Sequence, residues 1–450
     1  MPRPALLVAA IAACLAMAAP RSSAGAEDSS LAAPSASADS TTDLRPTSSV
    51  PWNPPRAVSN HETWEQVLNA PLTLVSLPFR ALGALTEAGL LRVQEDRLVP
   101  RVQYGIAVTR KSGINLGPAD LGVRPGFGAA LTYAPPRSRG WLRASVAGTF
   151  RRYHGERVEL GPRWLFANYG HDWRPQEPFY GIGAQARESD VSNYAMRADQ
   201  AELQARLRAG TRVRREVGAW IGARQSVLRS GREAGRPTLE TTFPQVAAGT
   251  LEIPQYHWIV GARAALDTRS GGPHWSRGWR LEAGAERFAP QQGGIRVFSG
   301  DDDSPGFRRF TLAGQVGWSF MRDPRTLRLS GRVVDVEPFD QARPPAPFDL
   351  PHLGSSAGLA GFEPGRFHGL DLLLVKLDYI FPLVEYAELE LSAEVGAVSG
   401  DVWRETRVDR LERSYGVLIR PRTHRVPLGA FGVCWSREGA RVRYSLGGVE

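Results

Sequence analysis

The sequence predicts an all-β membrane protein: a sixteen-stranded antiparallel transmembrane β-barrel behind a short N-terminal helical segment. Three observations lead there. A secretory leader opens the chain. No later stretch offers the ~18 uninterrupted apolar residues of a membrane-crossing helix. From Leu98 onward, apolar side chains recur at every second position over segments longer than ordinary soluble strands.

The leader spans residues 1–26. Arg3 supplies the positive start, Ala5 to Ala19 the apolar core, and Ala24-Gly25-Ala26 a small-x-small cleavage site before Glu27. Ile11-Ala12-Ala13-Cys14 also reads as a lipobox, so lipoprotein processing is the alternative. After cleavage Cys434 is the sole cysteine, which excludes an intrachain disulfide and a cysteine metal site. Residues 27–58 are rich in Ser, Ala, Thr and Pro; too little apolar surface is present to order them, and they are expected to form a disordered periplasmic linker. Over 59–96, Trp64, Val67, Leu68, Leu72, Val75, Phe79 and Leu82 recur at helical spacing, interrupted by Pro71 and Pro78. Two short periplasmic helices are expected, serving as a gate, a membrane-surface anchor or a packing element at the barrel mouth.

The barrel is assigned to 97–450. Ala201, Leu203, Ala205 and Leu207 alternate with Glu202, Gln204, Arg206 and Arg208. Trp258, Val260, Ala262, Ala264 and Leu266 alternate with His257, Ile259, Gly261, Arg263 and Ala265, and Leu312, Gly314, Val316, Trp318 and Phe320 form a third such stripe. A soluble sandwich also alternates, but its strands are shorter and its polar face is outside. Aromatic strand ends favour a membrane wall. The expected strands are 99–112, 125–135, 141–153, 155–169, 178–189, 192–209, 211–227, 255–269, 278–289, 306–320, 326–336, 370–381, 387–398, 410–420, 425–436 and 440–449. An even count returns both chain ends to the same side. It also makes 337–369 the sixth long loop.

That loop is the most informative stretch. It is too rich in Gly and Pro for regular structure, yet carries Leu359, Phe362 and Phe367, which suit a segment folded inward. The next strand sets Leu373, Val375, Leu377, Tyr379 and Phe381 on one face and Lys376 and Asp378 on the other. Leu353-Gly354, Gly361-Phe362, Gly365-Arg366-Phe367, Asp378-Tyr379-Ile380-Phe381-Pro382-Leu383 and Ala393-Glu394-Val395-Gly396 stand in the order of motifs in one family. The segment resembles the sixth loop and following strands of BamA/TamA-type outer-membrane barrels, the bacterial surface antigen domain. The chain departs from that pattern at Ala360, where the family has its tip arginine, so the usual arginine–carboxylate clamp cannot form at that position. It also leaves no room for the family's periplasmic modules.

The resemblance implies loop-tip residues Gly361, Phe362, Gly365, Arg366 and Phe367. It also implies a lateral seam, where Gly447 and Gly448 would weaken the last strand. Alternation adds Lys376, Asp378, Glu390 and Glu394 as lumen partners, with Arg366 expected to pair with Asp378 or Glu394 in place of the missing arginine. Other chemistries are weaker. Gly354-Ser355-Ser356-Ala357-Gly358 matches a nucleophile elbow, but no helix follows. Asp301, Asp302 and Asp303 lack the spaced ligands a calcium site needs. No enzyme, cofactor or metal is therefore expected. The net charge of +9 comes with arginines spread evenly and only two lysines, Lys111 and Lys376, which argues against nucleic acid.

The expected role is insertion or transport of protein or lipid at the bacterial outer membrane, by a monomer whose partners are the bilayer and other outer-membrane or periplasmic proteins. The alternatives are a passive or gated pore for small, anionic solutes and a structural surface barrel.

Overall fold

The computed structural model describes residues 112–446 apart from 120, 125–126, 136–140, 184, 270–276, 292–303, 321–324, 385–386, 402–410 and 422–428. The expected leader, linker and helical segment (1–96), almost all of the first expected strand, the Asp301–Asp303 run and the Gly447–Gly448 seam lie outside the described residues.

Sixteen strands form one antiparallel sheet in chain order. They are β1 (Ile114–Pro118), β2 (Gly128–Tyr133), β3 (Leu142–Thr149), β4 (His154–Leu160), β5 (Leu165–Phe179), β6 (Ser192–Ala209), β7 (Arg214–Ser230), β8 (Gln255–Asp267), β9 (Gly278–Pro290), β10 (Phe307–Phe320) and β11 (Arg325–Pro338), then β14 (Asp371–Val384), β15 (Ala387–Ser399), β16 (Glu412–Pro421), β17 (Gly429–Ser436) and β18 (Gly439–Leu446). Between β11 and β14, β12 (His352–Leu353) and β13 (Phe367–His368) pair only with each other. Two single-turn helices, α1 (Leu239–Thr242) and α2 (Pro244–Ala248), lie in the β7–β8 connection.

The two-residue rhythm sorts the side chains. Leu203 sits opposite Ile221, and Ile221 opposite Val260. All three are about half exposed, at 49%, 53% and 52%, so this face has no protein core behind it. On the other face Glu216 collects Arg208 and Arg263, at 2.7 and 2.8 Å. A soluble sandwich would place these faces the other way round. Apolar outside and ion-paired inside is the arrangement the alternation predicts.

The early strands differ from the expected boundaries. Gly161, at φ +128°, followed by Pro162, breaks the expected 155–169 strand, so β4 ends at Leu160 and β5 begins at Leu165. The segment 178–189 is not a strand: after Phe179 the chain turns through Gly181 and Gly183, both at positive φ, into a 3-10 turn at Glu188–Asp190. Pro175 and Pro178 made the end of β5 look broken. The sheet absorbs Pro175 with a register shift between Arg174 and Glu177, while Pro178 keeps its place opposite Asn193 near the strand end. β1 lies at 114–118, where no strand was expected, and the expected 99–112 strand falls almost wholly outside the described residues. Sixteen is the number of sheet strands among the described residues.

The sheet curls until its ends approach. Phe127, at the start of β2, stacks on Tyr444 of β18, with ring centroids 4.3 Å apart and planes 14° from parallel. Among the described residues no backbone ladder joins β1 to β18. There a side-chain stack joins the two ends of the described sheet. A double-mutant cycle of Phe127→Ala and Tyr444→Ala, followed by urea unfolding in detergent, is expected to give a coupling of about 1 kcal/mol.

Candidate functional site

The site is the 339–370 segment and the wall it rests on. Its apolar anchors drive the seating. Leu353, Leu359, Phe362 and Phe367 are no more than 1% exposed and pack with Ile259, Phe288, Phe307, Val334, Leu372 and Val398. Those partners come from β8, β9, β10, β11, β14 and β15. Each anchor contributes about 1.5–3 kcal/mol on burial. The loop therefore lies against the inner, polar side of the curled sheet.

Polar contacts then set its position. Asp349, 2% exposed, accepts from Arg224 of β7 at 2.8 Å, and Arg309 of β10 donates to its backbone carbonyl at 2.7 Å. At the tip, the Ala360 amide donates to the Glu394 carboxylate at 2.5 Å and the Gly361 amide to the Ser414 hydroxyl at 2.7 Å. Ser436 donates to the Gly361 carbonyl at 2.8 Å. The tip thus bridges β15, β16 and β17. Gly361 is required by this approach: a Cβ there would meet the Trp435 carbonyl oxygen at 2.5 Å.

Arg366 does not take the expected partner. It pairs neither with Asp378 nor with Glu394. Its Nε donates to Glu438, in the β17–β18 turn, at 2.8 Å, and Nη2 donates to the Ala186 carbonyl at 2.8 Å. Its guanidinium lies over the Phe367 and Tyr180 rings, 4.8 and 5.1 Å from their centroids. The reason is position. Arg366 sits on the return limb beside Phe367, at the end of the strands that carries the loop, whereas Glu394 lies under the tip and is met by the Ala360 backbone. At Glu394 the tip supplies a main-chain donor instead of a side chain.

The expected lumen partners do come together. Lys376 Nζ lies 3.0 Å from Asp378, 3.6 Å from Glu390 and 3.9 Å from Glu394. Two cations that sequence reasoning missed join them: Arg420 at 3.0 Å from Glu390 and Arg443 at 3.9 Å from Glu394. Both face inward by the same alternation, so the signal was there once β16 and β18 were in register. Asp349 and Glu438 had no such signal, because both lie outside the strands, whereas Arg441 shares the inner face of β18 with Arg443. Arg441 of β18 reaches Glu363 of the loop, and Glu188 at 2.8 Å.

Ser355–Ala357 forms a 3-10 turn closed by the Gly354 amide on the Gly358 carbonyl at 2.7 Å, so the Gly-x-Ser-x-Gly motif serves as a loop hinge. His352 and His368 face each other across β12–β13, with ring centroids 5.4 Å apart. Burial, then the Arg332 and Arg174 charges, pushes His352 down to about 4. Burial, then His352, holds His368 well below the usual histidine range. Among the described residues no group of three or more His, Cys, Asp or Glu is placed to hold a metal ion.

No family model matches this chain. No curated protein matches it either. Solved structures do. The crystal structure of BamA from Haemophilus ducreyi lacking POTRA domains 1-3 aligns over 74% of this chain and 69% of that one, at 11% identity and a TM-score of 0.50. The chain has a BamA-like fold. CdiB from Escherichia coli aligns over 74% of this chain and 61% of its own, at 10% identity and a TM-score of 0.48. CdiB from Acinetobacter baumannii aligns over 74% and 59%, at 12% identity and 0.45. The chain thus spans less than two thirds of either CdiB chain. At these identities the likeness to BamA is one of fold.

Two measurements probe the loop seat. Gly361→Val and Arg366→Ala are each expected to speed limited proteolysis within 339–370 several-fold, the first by collision with Trp435, the second by leaving Glu438 short of a partner. Unchanged cleavage in both would mean the tip contacts do not hold the loop. The histidine pair sets a pH dependence. A released histidine binds its proton near pH 6.5, at about its model-peptide value, so below that pH the released loop holds more protons than the seated one. Seating should weaken as pH falls from 6.5 towards about 4, read as faster hydrogen exchange of the loop amides after correction for intrinsic rate. The His352→Gln/His368→Gln double variant should flatten that dependence.

Proposed function

We propose that the chain is an outer-membrane β-barrel of the insertase or translocase type, acting as a monomer on protein or lipid at that membrane. The observation that carries this reading is a filled interior. The 339–370 loop bonds to Arg224 and Arg309 on one side and to Glu394, Ser414 and Ser436 on the other. A passive pore has no use for such an obstruction. Among the described residues β1 is 5 residues long and shares no ladder with β18, which the Phe127–Tyr444 stack approaches instead. A wall that opens sideways needs a weak edge; a porin needs a strong one. The BamA-like fold and the exposed apolar outer face agree with an outer-membrane location. No enzymatic step belongs to this reading.

Planar-bilayer recording separates the readings. The natural chain is expected to show little steady conductance, and Arg366→Ala more. In cells, depletion is expected to reduce folded levels of other outer-membrane proteins. A Phe127→Cys/Tyr444→Cys variant in a Cys434→Ser background, bridged by a short bifunctional thiol reagent, is expected to reproduce the depletion. Large steady conductance together with normal assembly on depletion would establish a pore instead.

A further inference from the structure

The arginines that are evenly spread in sequence are not evenly spread in space. At the short-turn end of β6–β9 a cavity of about 520 Å³ is lined by Arg208, Arg214, Arg215, Arg269 and Arg280, against only two carboxylates, Glu216 and Asp267. The lining therefore carries five positive and two negative charges. It lies well away from the loop: Glu216 and Arg224 are eight residues apart on β7, about 27 Å along the strand.

Cations crowd each acid in this wall. Glu216 is approached by three guanidiniums at once, Arg208 at 2.7 Å, Arg263 at 2.8 Å and Arg206 at 3.6 Å. Asp267 is shared by Arg269 at 3.0 Å and Arg214 at 3.2 Å. Arg280 is held by Glu282 at 2.5 Å, and Arg269 also donates to Gln315 at 3.0 Å. Arg206 and Arg263, which share Glu216, bring two further cations beside the lining for that one further acid, so cations outnumber acids. Gathering like charges around one cavity costs free energy that these acids do not offset, and low-dielectric walls concentrate the resulting field. Such an arrangement is stabilised by an anion from outside.

We propose that this cavity is a binding site for a multiply charged phosphate group. The guanidinium fork matches phosphate oxygens in pairs, and a surplus of three charges favours a phosphomonoester or diphosphate over a single carboxylate. The volume lies within the range of small-ligand pockets, about 300–1,000 Å³. The chemistry fits both a free phosphate compound and a phosphorylated lipid headgroup. The site does not depend on the insertase reading, because none of its residues touches the loop tip or the seam.

The test uses the full chain in a non-ionic detergent at low ionic strength, titrated with inorganic pyrophosphate by calorimetry. Saturable binding to one site, weakening with added salt, is expected. Arg208→Gln and Arg214→Gln leave folding intact, because both side chains are mostly exposed, at 66% and 59%. Each should weaken binding about tenfold. Glu216→Gln, which releases three guanidiniums, should tighten it. Mixed micelles containing phosphatidic acid distinguish the sources: competition with pyrophosphate identifies a lipid headgroup, and its absence a free phosphate compound. No saturable binding, or affinity unchanged in both arginine variants, would overturn the site.

Discussion

The structure depends on one constraint: a wall that is apolar outside must satisfy a polar interior without bulk protein behind it. The loop between β11 and β14 meets part of that requirement. Its anchors cover the inner ends of β8, β9 and β10, where Ile259, Phe288 and Phe307 are themselves apolar. Its backbone supplies donors and acceptors where the wall offers Glu394, Ser414 and Ser436. Apolar burial supplies most of the free energy, and the buried ion pairs fix the position more than they stabilise it.

Glu394 shows how this works with an altered sequence. The loop tip brings Ala360, an uncharged side chain, to this carboxylate, yet the carboxylate is not left bare. The Ala360 amide donates to it, and Lys376 and Arg443 stand 3.9 Å away. A main-chain donor carries no net charge, so the two cations become necessary. The tip can then descend close to the wall, which only a residue without a side chain permits at Gly361.

Fold and site were not equally legible. Strands β6 to β11 and β14 to β16 were readable to within a few residues, because each keeps one unbroken period of two. β4 and β5 were not, since prolines in a strand and a Gly-Pro turn look alike until the bulge at Arg174–Glu177 is seen. The charges Lys376, Asp378, Glu390 and Glu394 were found because alternation assigns a face. Their partners were harder. Arg366 belongs to a loop without periodicity, so its pairing with Glu438, 72 residues on, follows from the path of the loop and from no local pattern. Asp349 and Arg224, 125 residues apart, are the same case.

That long-range pairing has a mechanical consequence at the seam. β18 is the edge strand facing the Phe127–Tyr444 stack, and its Arg441 holds both Glu363 of the loop and Glu188 of the β5–β6 connection. Glu438, in the turn just before β18, holds Arg366. An outward swing of β18 must therefore break the stack and also pull on the loop at two points. The converse also holds, since releasing the loop removes two of the contacts that keep β18 in place. The loop and β18 are thus linked through Arg366–Glu438 and Arg441–Glu363, so the position of one constrains the other.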